Sequence, residues 1–448
     1  MEASAAGAGL LYPGLGLLGL FPPWGSVPEN PGFPQGPHSP VPFLFPMSSP
    51  DHSLPSAAQA ALRDFLKLHA SPPRLGEGLP DGATPLLKNL WYSWNRRHLS
   101  FQWLLQRRCR RLRPRMQGLL EWALTECYLL SGLAPHDCVN LAVQYARDQW
   151  GSQEAGFANG VLRGLLREAP PAPGALERLL EKAPDAPRWG LPEELCRRWK
   201  SARGKEWTAL QAELLQRPAP VTARRRGSLA DLPFPLEFQD TLRLFQTAQG
   251  DTPTDLFYLQ DPSTMLAPAL MDPRPGESLA DLCAAPGGKS VALAERMDGR
   301  GRLLCADSAP PRMARLQENL KGFPFALLEV RDATRPGLPP ESLDGLLLDV
   351  PCSNTGVLRR RPDVRQNFSL AHLRELVALQ AQILEACAPL VRKGGRLVYS
   401  TCSIEREENH AQVARFLGAH PEYTLEREEQ LLPGEEHDGA YAARLRKA

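Results

Sequence analysis

The chain has 448 residues, which is enough for about two to four domains with buried cores and excludes a peptide-sized scaffold. Its hydrophobic content of 43% and charged content of 23% are typical of a globular protein, and no apolar stretch is long enough to span a membrane. Because 52 basic residues nearly cancel 50 acidic ones, binding to nucleic acid would depend on local basic clusters.

The first 50 residues differ in composition from the rest, because they hold 11 prolines and 8 glycines but no lysine or arginine. Such a segment cannot bury enough apolar surface to offset its ordering entropy, so residues 1–50 are predicted to be a disordered tail. A secretory signal is disfavoured, since basic residues are missing and prolines and glycines interrupt the apolar run. The alternative is that translation begins at Met47.

Residues 55–168 show the spacing of an all-α domain. Apolar residues recur every three or four positions, as in the stretch from Leu62 to Leu66, which places them on one face of a helix. Prolines at positions 170, 171 and 173 then predict a domain boundary. A small linking subdomain is predicted over residues 186–262, with a helical stretch followed by a short strand at Pro220–Arg225.

Residues 263–448 alternate between strand-like and helix-like patterns. The predicted strands are Leu279–Cys283, Arg302–Ala306, Phe325–Val330, Leu343–Val350 and Arg396–Thr401. The predicted helices are Lys289–Met297, Arg312–Leu320, Leu370–Val391 and Glu407–Leu417. This alternation predicts an α/β domain with a doubly wound sheet, whose ligands bind at the carboxyl ends of the strands.

A glycine-containing loop joins the first of these strands to its helix, with the sequence Asp-Leu-Cys-Ala-Ala-Pro-Gly-Gly-Lys from Asp281 to Lys289. Glycine lets backbone N–H groups approach a ligand closely at a helix N-terminus, so the loop predicts nucleotide-like binding. A phosphate-binding Walker loop would also end in Gly-Lys-Ser, but it requires glycine where this chain has Cys283. A purely structural turn is the alternative for the loop alone.

Aspartates follow three successive strands. Asp307 ends the second strand, at the usual spacing for a carboxylate that accepts hydrogen bonds from ribose hydroxyls. Asp332 ends the third strand and Asp349 the fourth. A single strand-end aspartate is more often a helix cap or a turn former. Three of them beside a glycine loop fit a nucleoside with a charged tail, such as S-adenosylmethionine.

Two cysteine motifs end adjacent strands. Asp349–Gly356 reads Asp-Val-Pro-Cys-Ser-Asn-Thr-Gly, and residues 400–403 read Ser-Thr-Cys-Ser. Together with the glycine loop and the closing His-Asp-Gly-Ala-Tyr-Ala-Ala-Arg of residues 437–444, they resemble the NOL1/NOP2/Sun family of RNA cytosine-C5 methyltransferases. The resemblance implies a Rossmann-like methyltransferase domain over residues 263–448.

The helical region extends the resemblance. Ala134-Pro-His136 and the segment Ala155–Arg163 are similar to the NusB-type RNA-binding domain that precedes the catalytic domain in family members that modify bacterial small-subunit rRNA. The implied architecture is therefore a NusB-like domain over residues 55–168, a small linking subdomain, and a C-terminal methyltransferase domain.

The resemblance also implies roles for individual residues. Cys402 is the implied nucleophile, and Cys352 is the implied base for the carbon 5 proton. A thiolate is needed because carbon 5 of cytosine is too electron-poor to attack a sulfonium methyl group before addition at carbon 6. Asp349 is the implied partner of ring N3, and Lys289 is placed to orient it. A packed structural thiol is the alternative for either cysteine alone.

The cofactor implied by the resemblance is S-adenosylmethionine. Its implied binding residues are Cys283, Ala284, Ala285, Pro286, Gly287, Gly288, Lys289, Asp307, Arg312, Asp332 and Asp349. A target base must leave its stack to reach such a pocket, so a flipped or single-stranded cytosine is expected.

Arginines form two local clusters. Residues 96–115 carry eight arginines and no acid, interleaved with aromatic residues, a composition that suits a folded RNA surface. A solvated helix face is the alternative. The predicted RNA contacts are Arg107, Arg108, Arg110 and Arg111 in this cluster, and Arg359, Arg360 and Arg361 after the Pro-Cys motif.

The sequence therefore predicts an S-adenosylmethionine-dependent RNA cytosine-C5 methyltransferase acting on small-subunit (16S) rRNA. The alternatives are the same chemistry on tRNA or another rRNA site, and a non-catalytic ribosome-assembly factor that only binds RNA. Nine cysteines without a Cys-x-x-Cys pair argue against a disulfide framework and a zinc ribbon, and favour the reducing cytoplasm. No metal site and no membrane contact are predicted, and a monomer is expected.

Overall fold

A computed structural model describes residues 54–73, 79–80, 82–130, 132–225, 241–243 and 257–448. The predicted disordered tail, residues 1–50, lies outside the described residues, as does the alternative start at Met47.

The described N-terminal half is helical. Its helices are α1 (Leu54–Ala70), α2 (Pro85–Gln106), α3 (Pro114–Tyr128), α4 (Pro135–Trp150), α5 (Ser152–Glu168), α6 (Ala175–Leu179), α7 (Asp185–Trp189), α8 (Glu193–Arg203) and α9 (Lys205–Leu214). Proline opens α2, α3 and α4, at a position where no intrahelical N–H bond is lost. Thr84 caps α2, because its Oγ1 accepts a hydrogen bond of 3.2 Å from Leu87 N.

Helices α1 to α6 enclose one hydrophobic core. Trp122 of α3 is fully buried there, together with Phe65 of α1 and Phe101 of α2. Burial of one such large side chain stabilises the fold by about 1.5–3 kcal/mol relative to exposure. The predicted all-α domain is confirmed.

Helices α7 to α9 form a second core that reaches into the following domain. Trp199 of α8 and Leu195 pack in one cluster with Leu358, Val364 and Ile404 from the C-terminal half. Within the described residues, the strands β1 (Thr222–Arg225), β2 (Thr241–Arg243) and β3 (Phe257–Leu259) pair antiparallel in the order β2-β1-β3.

The C-terminal half is a layered α/β domain. Its elements are α10 (Leu266–Met271), β4 (Ser278–Asp281), α11 (Gly288–Met297), β5 (Arg302–Asp307), α12 (Pro310–Leu320), β6 (Ala326–Val330), β7 (Leu343–Asp349), α13 (Val364–Asn367), α14 (Leu370–Cys387), β8 (Val391–Thr401), α15 (His410–Ala419), β9 (Tyr423–Leu431) and β10 (Ala440–Lys447). The seven strands follow the order β6-β5-β4-β7-β8-β10-β9. The first five strands in this order pair in parallel, from β6 at the edge to β8. Strand β10 is antiparallel to both β8 and β9.

Successive residues of the central strands face opposite layers. On β7, Leu346 and Leu348 belong to one buried cluster, whereas Leu347 between them belongs to the other. Tyr399 and Val398 of β8 divide in the same way. Helices cover both faces, which is why these strands have continuous apolar sequences instead of alternating ones.

One prediction at the C-terminal end needs correction, and one pair of strands there was missed. The predicted helix Leu370–Val391 stops at Cys387, because Pro389 cannot continue an α-helix, and Val391 already opens β8. The hairpin of β9 and β10 was not predicted. Its strand β9 is rich in Glu and Arg, a composition that resembles an exposed helix, and pairing with β10 decides its conformation.

Candidate active site

The carboxyl ends of the parallel strands meet at one edge of the sheet. Asp281 ends β4, Asp307 ends β5 and Asp349 ends β7, while Cys402 directly follows β8. This edge brings together the glycine loop, the strand-end aspartates and both cysteine motifs, as the sequence predicted.

The glycine loop runs from the end of β4 to the first turn of α11. Gly287 has φ +113°, and a Cβ there would lie 3.0 Å from Leu316 Cδ1, so the loop requires glycine. Buried Asp281 anchors the loop, because its carboxylate accepts hydrogen bonds from Ser290 Oγ at 2.7 Å and Cys283 N at 3.4 Å. Burial raises the pKa of Asp281 to about 7.

Asp307 lies beside this loop and is almost fully buried. Its two carboxylate oxygens accept hydrogen bonds from Ala285 N at 3.2 Å and Ala309 N at 3.0 Å. Arg312 lies 3.5 Å from the same carboxylate and also donates to the backbone oxygen of Ala285. A carboxylate has about four acceptor positions, so Asp307 keeps capacity for further hydroxyl donors.

Asp332 lies two residues beyond β6 and is exposed. Its Oδ1 accepts hydrogen bonds from the backbone N and the hydroxyl of Thr334, both at 2.8 Å. The backbone bond from Thr334 is the main cause that lowers the pKa of Asp332.

Lys289 and Asp349 form an ion pair across the edge. Lys289 Nζ of α11 lies 2.6 Å from Asp349 Oδ2 at the end of β7. Burial by itself disfavours the charged ammonium, but the charge and hydrogen bond of Asp349 outweigh it and raise the pKa of Lys289. The ammonium therefore stays charged and fixes the orientation of the carboxylate.

The two motif cysteines are in direct contact. Cys352 Sγ lies 3.3 Å from Cys402 Sγ, although the residues are separated by the whole of α14 and β8. The contact with Cys402, followed by burial, raises the pKa of Cys352 well above its usual value. Cys402 also donates to Asn354 Oδ1 at 3.0 Å. Its half-buried side chain is more accessible than that of Cys352, which is 6% exposed.

Fully buried Glu408 holds the two cysteine loops together. Its carboxylate accepts hydrogen bonds from Ser353 N at 2.8 Å, from Ser353 Oγ at 2.5 Å and from Gln380 Nε2 at 3.0 Å. Burial raises the pKa of Glu408. The sequence analysis missed Glu408, because the sequence Glu-Glu-Asn at 407–409 does not indicate that its second glutamate is buried.

Comparison with known proteins assigns this arrangement to a family. Residues 268–446 match the family model described as 16S rRNA methyltransferase RsmB/F, and residues 62–167 match the NusB family. The probable ribosomal RNA small subunit methyltransferase B of Bacillus subtilis (strain 168) is 30% identical over 370 residues, covering 77% of this chain and 82% of that relative. The chain belongs to the RsmB/F family of 16S rRNA methyltransferases.

A second relative supports this assignment, and a solved structure shows the same fold. The ribosomal RNA small subunit methyltransferase B of Yersinia pseudotuberculosis (serotype O:1b) is 31% identical over 409 residues, covering 84% of this chain and 92% of that relative. The crystal structure of PH0851 has the same fold, with a TM-score of 0.67 and 23% identity over 87% of this chain and 99% of that one. The predicted fold class and family resemblance are confirmed.

S-adenosylmethionine is the cofactor of this RsmB/F family member. The strand-end residues fit it, because Gly288 opens a helix N-terminus and Asp307 offers a carboxylate beside the glycine loop. A Cβ on Gly288 would lie 3.2 Å from Gln260 Nε2, so the loop leaves little room for a side chain there.

The helix pair α8–α9 contacts the loop that carries Cys402. Trp199 Nε1 donates to Glu405 Oε1 at 2.9 Å, and Arg198 Nε donates to Glu405 Oε2 at 3.0 Å. Both Trp199 and Glu405 are buried. The linking region therefore helps to position a loop of the methyltransferase domain.

Trp199→Phe is expected to lower the free energy of unfolding by about 1–3 kcal/mol, because buried Glu405 loses a donor while the aromatic packing is largely kept. Urea unfolding followed by circular dichroism measures the change. Trp207→Phe is the matched control, since the Trp207 indole N–H has no hydrogen-bond partner among the described residues. Equal losses in the two variants would contradict the importance of the hydrogen bond.

The arginine cluster of residues 96–115 lies mainly on the connection between α2 and α3, and not on a helix face. Arg107 stacks on Trp103, with 4.8 Å between the guanidinium carbon and the ring centroid. Arg108 pairs with Glu168. Arg110 and Arg111 are exposed, and within the described ranges neither forms an ion pair.

Arg359 and Arg360 of the second predicted arginine cluster contact other segments of the protein. Arg359 is buried and donates to the backbone oxygens of Gly434 and Glu435 at 3.2 and 2.9 Å. Arg360 pairs with Asp261 at 2.7 Å and Asp438 at 2.8 Å. These contacts give both guanidinium groups partners inside the protein that are distant in sequence, and phosphate binding by Arg359 and Arg360 stays a prediction.

The side chain of Arg361 is about as exposed as that of Arg360 and more exposed than that of Arg359. It forms a bidentate pair with Asp363, with distances of 3.0 and 2.8 Å, and about a third of its side chain is exposed.

Neither a helix long and apolar enough to cross a membrane nor a group of potential metal ligands occurs in the part of the chain that the structure describes.

Proposed function

We propose that the chain methylates carbon 5 of a cytosine in small-subunit rRNA through a covalent bond to Cys402. The observation that carries this proposal is the 3.3 Å contact between Cys352 and Cys402, beside the ion pair of Lys289 and Asp349. The curated relatives named ribosomal RNA small subunit methyltransferase B support the RNA class. Two cooperating thiols suit a reaction that needs a nucleophile and a separate base.

The Cys402 thiolate starts the reaction. Its Sγ forms a bond to carbon 6, and the electron pair of the carbon 5–carbon 6 double bond moves so that carbon 5 becomes nucleophilic. S-adenosylmethionine, when bound, supplies a methyl group on a positively charged sulfur that carbon 5 can attack. The half-buried position of Cys402 leaves its thiol accessible to a flipped cytosine.

Asp349 assists the addition. Addition at carbon 6 increases electron density on the ring, so N3 takes up a proton from solvent, and the resulting N3–H donates a hydrogen bond to the Asp349 carboxylate that stabilises the adduct. Lys289 keeps the carboxylate in place through the 2.6 Å ion pair. This role matches the position of Asp349 at the end of β7, directly after the apolar residues Leu346–Leu348.

Cys352 removes the carbon 5 proton after methylation. The proton passes to Cys352 Sγ, the carbon 5–carbon 6 double bond re-forms, and the Cys402 Sγ–carbon 6 bond breaks to release the thiolate. In the free protein the contact with Cys402 is the main cause that raises the pKa of Cys352 and keeps it a thiol. Bonding of Cys402 to carbon 6 removes that thiol partner and favours ionisation of Cys352.

The glycine loop and Asp307 hold the cofactor, with Asp307 accepting hydrogen bonds from the ribose hydroxyls. Asp307→Ala is expected to weaken S-adenosylmethionine binding by about 10- to 100-fold, because charge-assisted hydrogen bonds of about 1.5–3 kcal/mol are lost. Calorimetry on the folded variant measures this loss. Asp344→Ala, at the opposite edge of the sheet, is the control. Unchanged affinity in Asp307→Ala would remove Asp307 from the cofactor site.

Exposed arginines of the α2–α3 connection bind RNA phosphates. Replacing Arg110 and Arg111 with glutamine is expected to weaken RNA binding and to reduce its salt dependence by about 0.7–0.9 per lost contact in the log–log slope. Affinity measured across a salt series gives the slope. Arg300→Gln is the control, since Arg300 lies before β5 at the opposite edge. An unchanged slope in the double variant would mean that the loop only faces solvent.

Mapping 5-methylcytosine in rRNA and tRNA from a strain that lacks this gene tests the proposed substrate. Loss of one methylcytosine from small-subunit rRNA is the expected result. Loss from tRNA or from another rRNA would retain the chemistry and change the substrate. No loss anywhere would favour a binding factor without turnover.

A further inference from the structure

Asn354 lies between the two motif cysteines. Its Oδ1 accepts a hydrogen bond from Cys402 Sγ at 3.0 Å, and its Nδ2 donates to the backbone oxygen of Cys352 at 2.7 Å. One amide therefore contacts both cysteine loops. Neither the cysteine motifs nor their spacing assigns a role to this side chain.

The backbone of Asn354 is fixed in an unusual conformation. Its φ of +59° and ψ of +24° lie in the left-handed region, which asparagine tolerates better than most residues that have a side chain. The next residues form a short turn, and Gly356 N donates to the backbone oxygen of Cys402 at 3.0 Å. The loop is thus held against Cys402 from two directions.

The hydrogen bond to Cys352 also selects the orientation of the amide. If the amide were turned over, Oδ1 would face the Cys352 carbonyl oxygen and two acceptors would oppose each other. The observed orientation therefore directs Oδ1, a pure acceptor, at the Cys402 thiol. An acceptor stabilises the S–H form and opposes loss of its proton.

We propose that Asn354 is a positioning residue that aims the Cys402 thiol at the substrate through the hydrogen bond that its Oδ1 accepts. This inference rests on the proposed function, in which Cys402 is the nucleophile. The thiol proton is held against Oδ1 in the free protein and passes to solvent when the thiolate forms. Cys402 therefore has two hydrogen-bond partners, the Cys352 thiol and the Asn354 amide.

Two variants test the contact in opposite directions. Asn354→Gly removes the amide and accepts φ +59° without strain, whereas Asn354→Asp keeps the shape and places a carboxylate beside the thiol. The rate at which iodoacetamide alkylates Cys402 is measured across a pH series by mass spectrometry of its peptide, in the full chain without RNA. The melting temperature of each variant is measured in parallel.

The midpoint of the alkylation profile is expected to fall by about 0.5–1 pH unit in Asn354→Gly, because an acceptor of the thiol proton is lost. In Asn354→Asp it is expected to rise by about one unit or more, because a negative charge opposes the thiolate. Asn354→Gly should also form the covalent RNA complex about tenfold more slowly, since the thiol is less well aimed.

Wild-type alkylation midpoints in both folded variants would overturn the proposal, as would shifts of the same sign. A residue with a merely structural role does not lower the midpoint in Asn354→Gly, so that variant distinguishes the two roles. Because alkylation is read without RNA, a failure of Cys402 to form an RNA adduct would count against the proposed function and not against this contact.

Discussion

Replacing Cys402 with alanine is expected to abolish both methylation and the covalent RNA complex, because no thiolate remains to add to carbon 6. Replacing Cys352 with alanine is expected to allow addition and methyl transfer but to slow removal of the carbon 5 proton. The methylated adduct should then persist as a slowly migrating protein–RNA band on denaturing gels. The two variants therefore have opposite signatures, although the thiols lie only 3.3 Å apart.

Digestion of the trapped complex locates the nucleotide on the peptide that contains Cys402. The double variant should show no band, and Cys138→Ala is the control for loss of a buried thiol in the helical domain. Packed structural thiols would give neither signature. If Cys402→Ala accumulates the adduct and Cys352→Ala does not, the nucleophile is the other cysteine.

Asp349→Asn is expected to slow methylation by about 10²- to 10⁴-fold, which is the usual contribution of a general acid or base. Asparagine keeps the size of the side chain but cannot hold the charge that pairs with Lys289 and stabilises protonated N3. The variant impairs addition at carbon 6, which precedes methyl transfer. Adding Asp349→Asn to Cys352→Ala should therefore also prevent the trapped adduct. Single-turnover kinetics at saturating cofactor and RNA measure the effect.

Lys289→Met tests the positioning of the Asp349 carboxylate separately from the charge that this carboxylate places near N3. The carboxylate remains but loses its 2.6 Å partner, so the expected loss of rate is smaller than in Asp349→Asn. Asp344→Asn removes a carboxylate from the start of the same strand, far from the cysteines, and controls for damage to β7. A rate for Asp349→Asn within about threefold of the wild type would exclude Asp349 from the addition step.

The placement of the strand ends could be predicted from the sequence. The apolar runs of β7 and β8 are flanked by polar residues, so their ends, and with them Asp349 and Cys402, could be located to within one or two positions. Parallel strands then place their carboxyl ends at one edge. Membership of the RsmB/F family agrees with the motifs that occupy that edge.

Contacts between loops could not be predicted in the same way. The partners of Glu408, Ser353 and Gln380 come from separate segments, and only the assembled sheet brings them together. The ion pairs of Arg360 could not be predicted either, because its aspartate partners are distant in sequence. The role inferred for Asn354 depends on a left-handed backbone, which asparagine permits but does not require.

Transfer of a labelled methyl group from S-adenosylmethionine to purified small-subunit rRNA tests the central claim most directly. After digestion to nucleosides, the account predicts that the label appears in 5-methylcytidine, at a single position, and is absent when Cys402→Ala replaces the wild type. Label in any other methylated nucleoside, or label in 5-methylcytidine with Cys402→Ala, would contradict it.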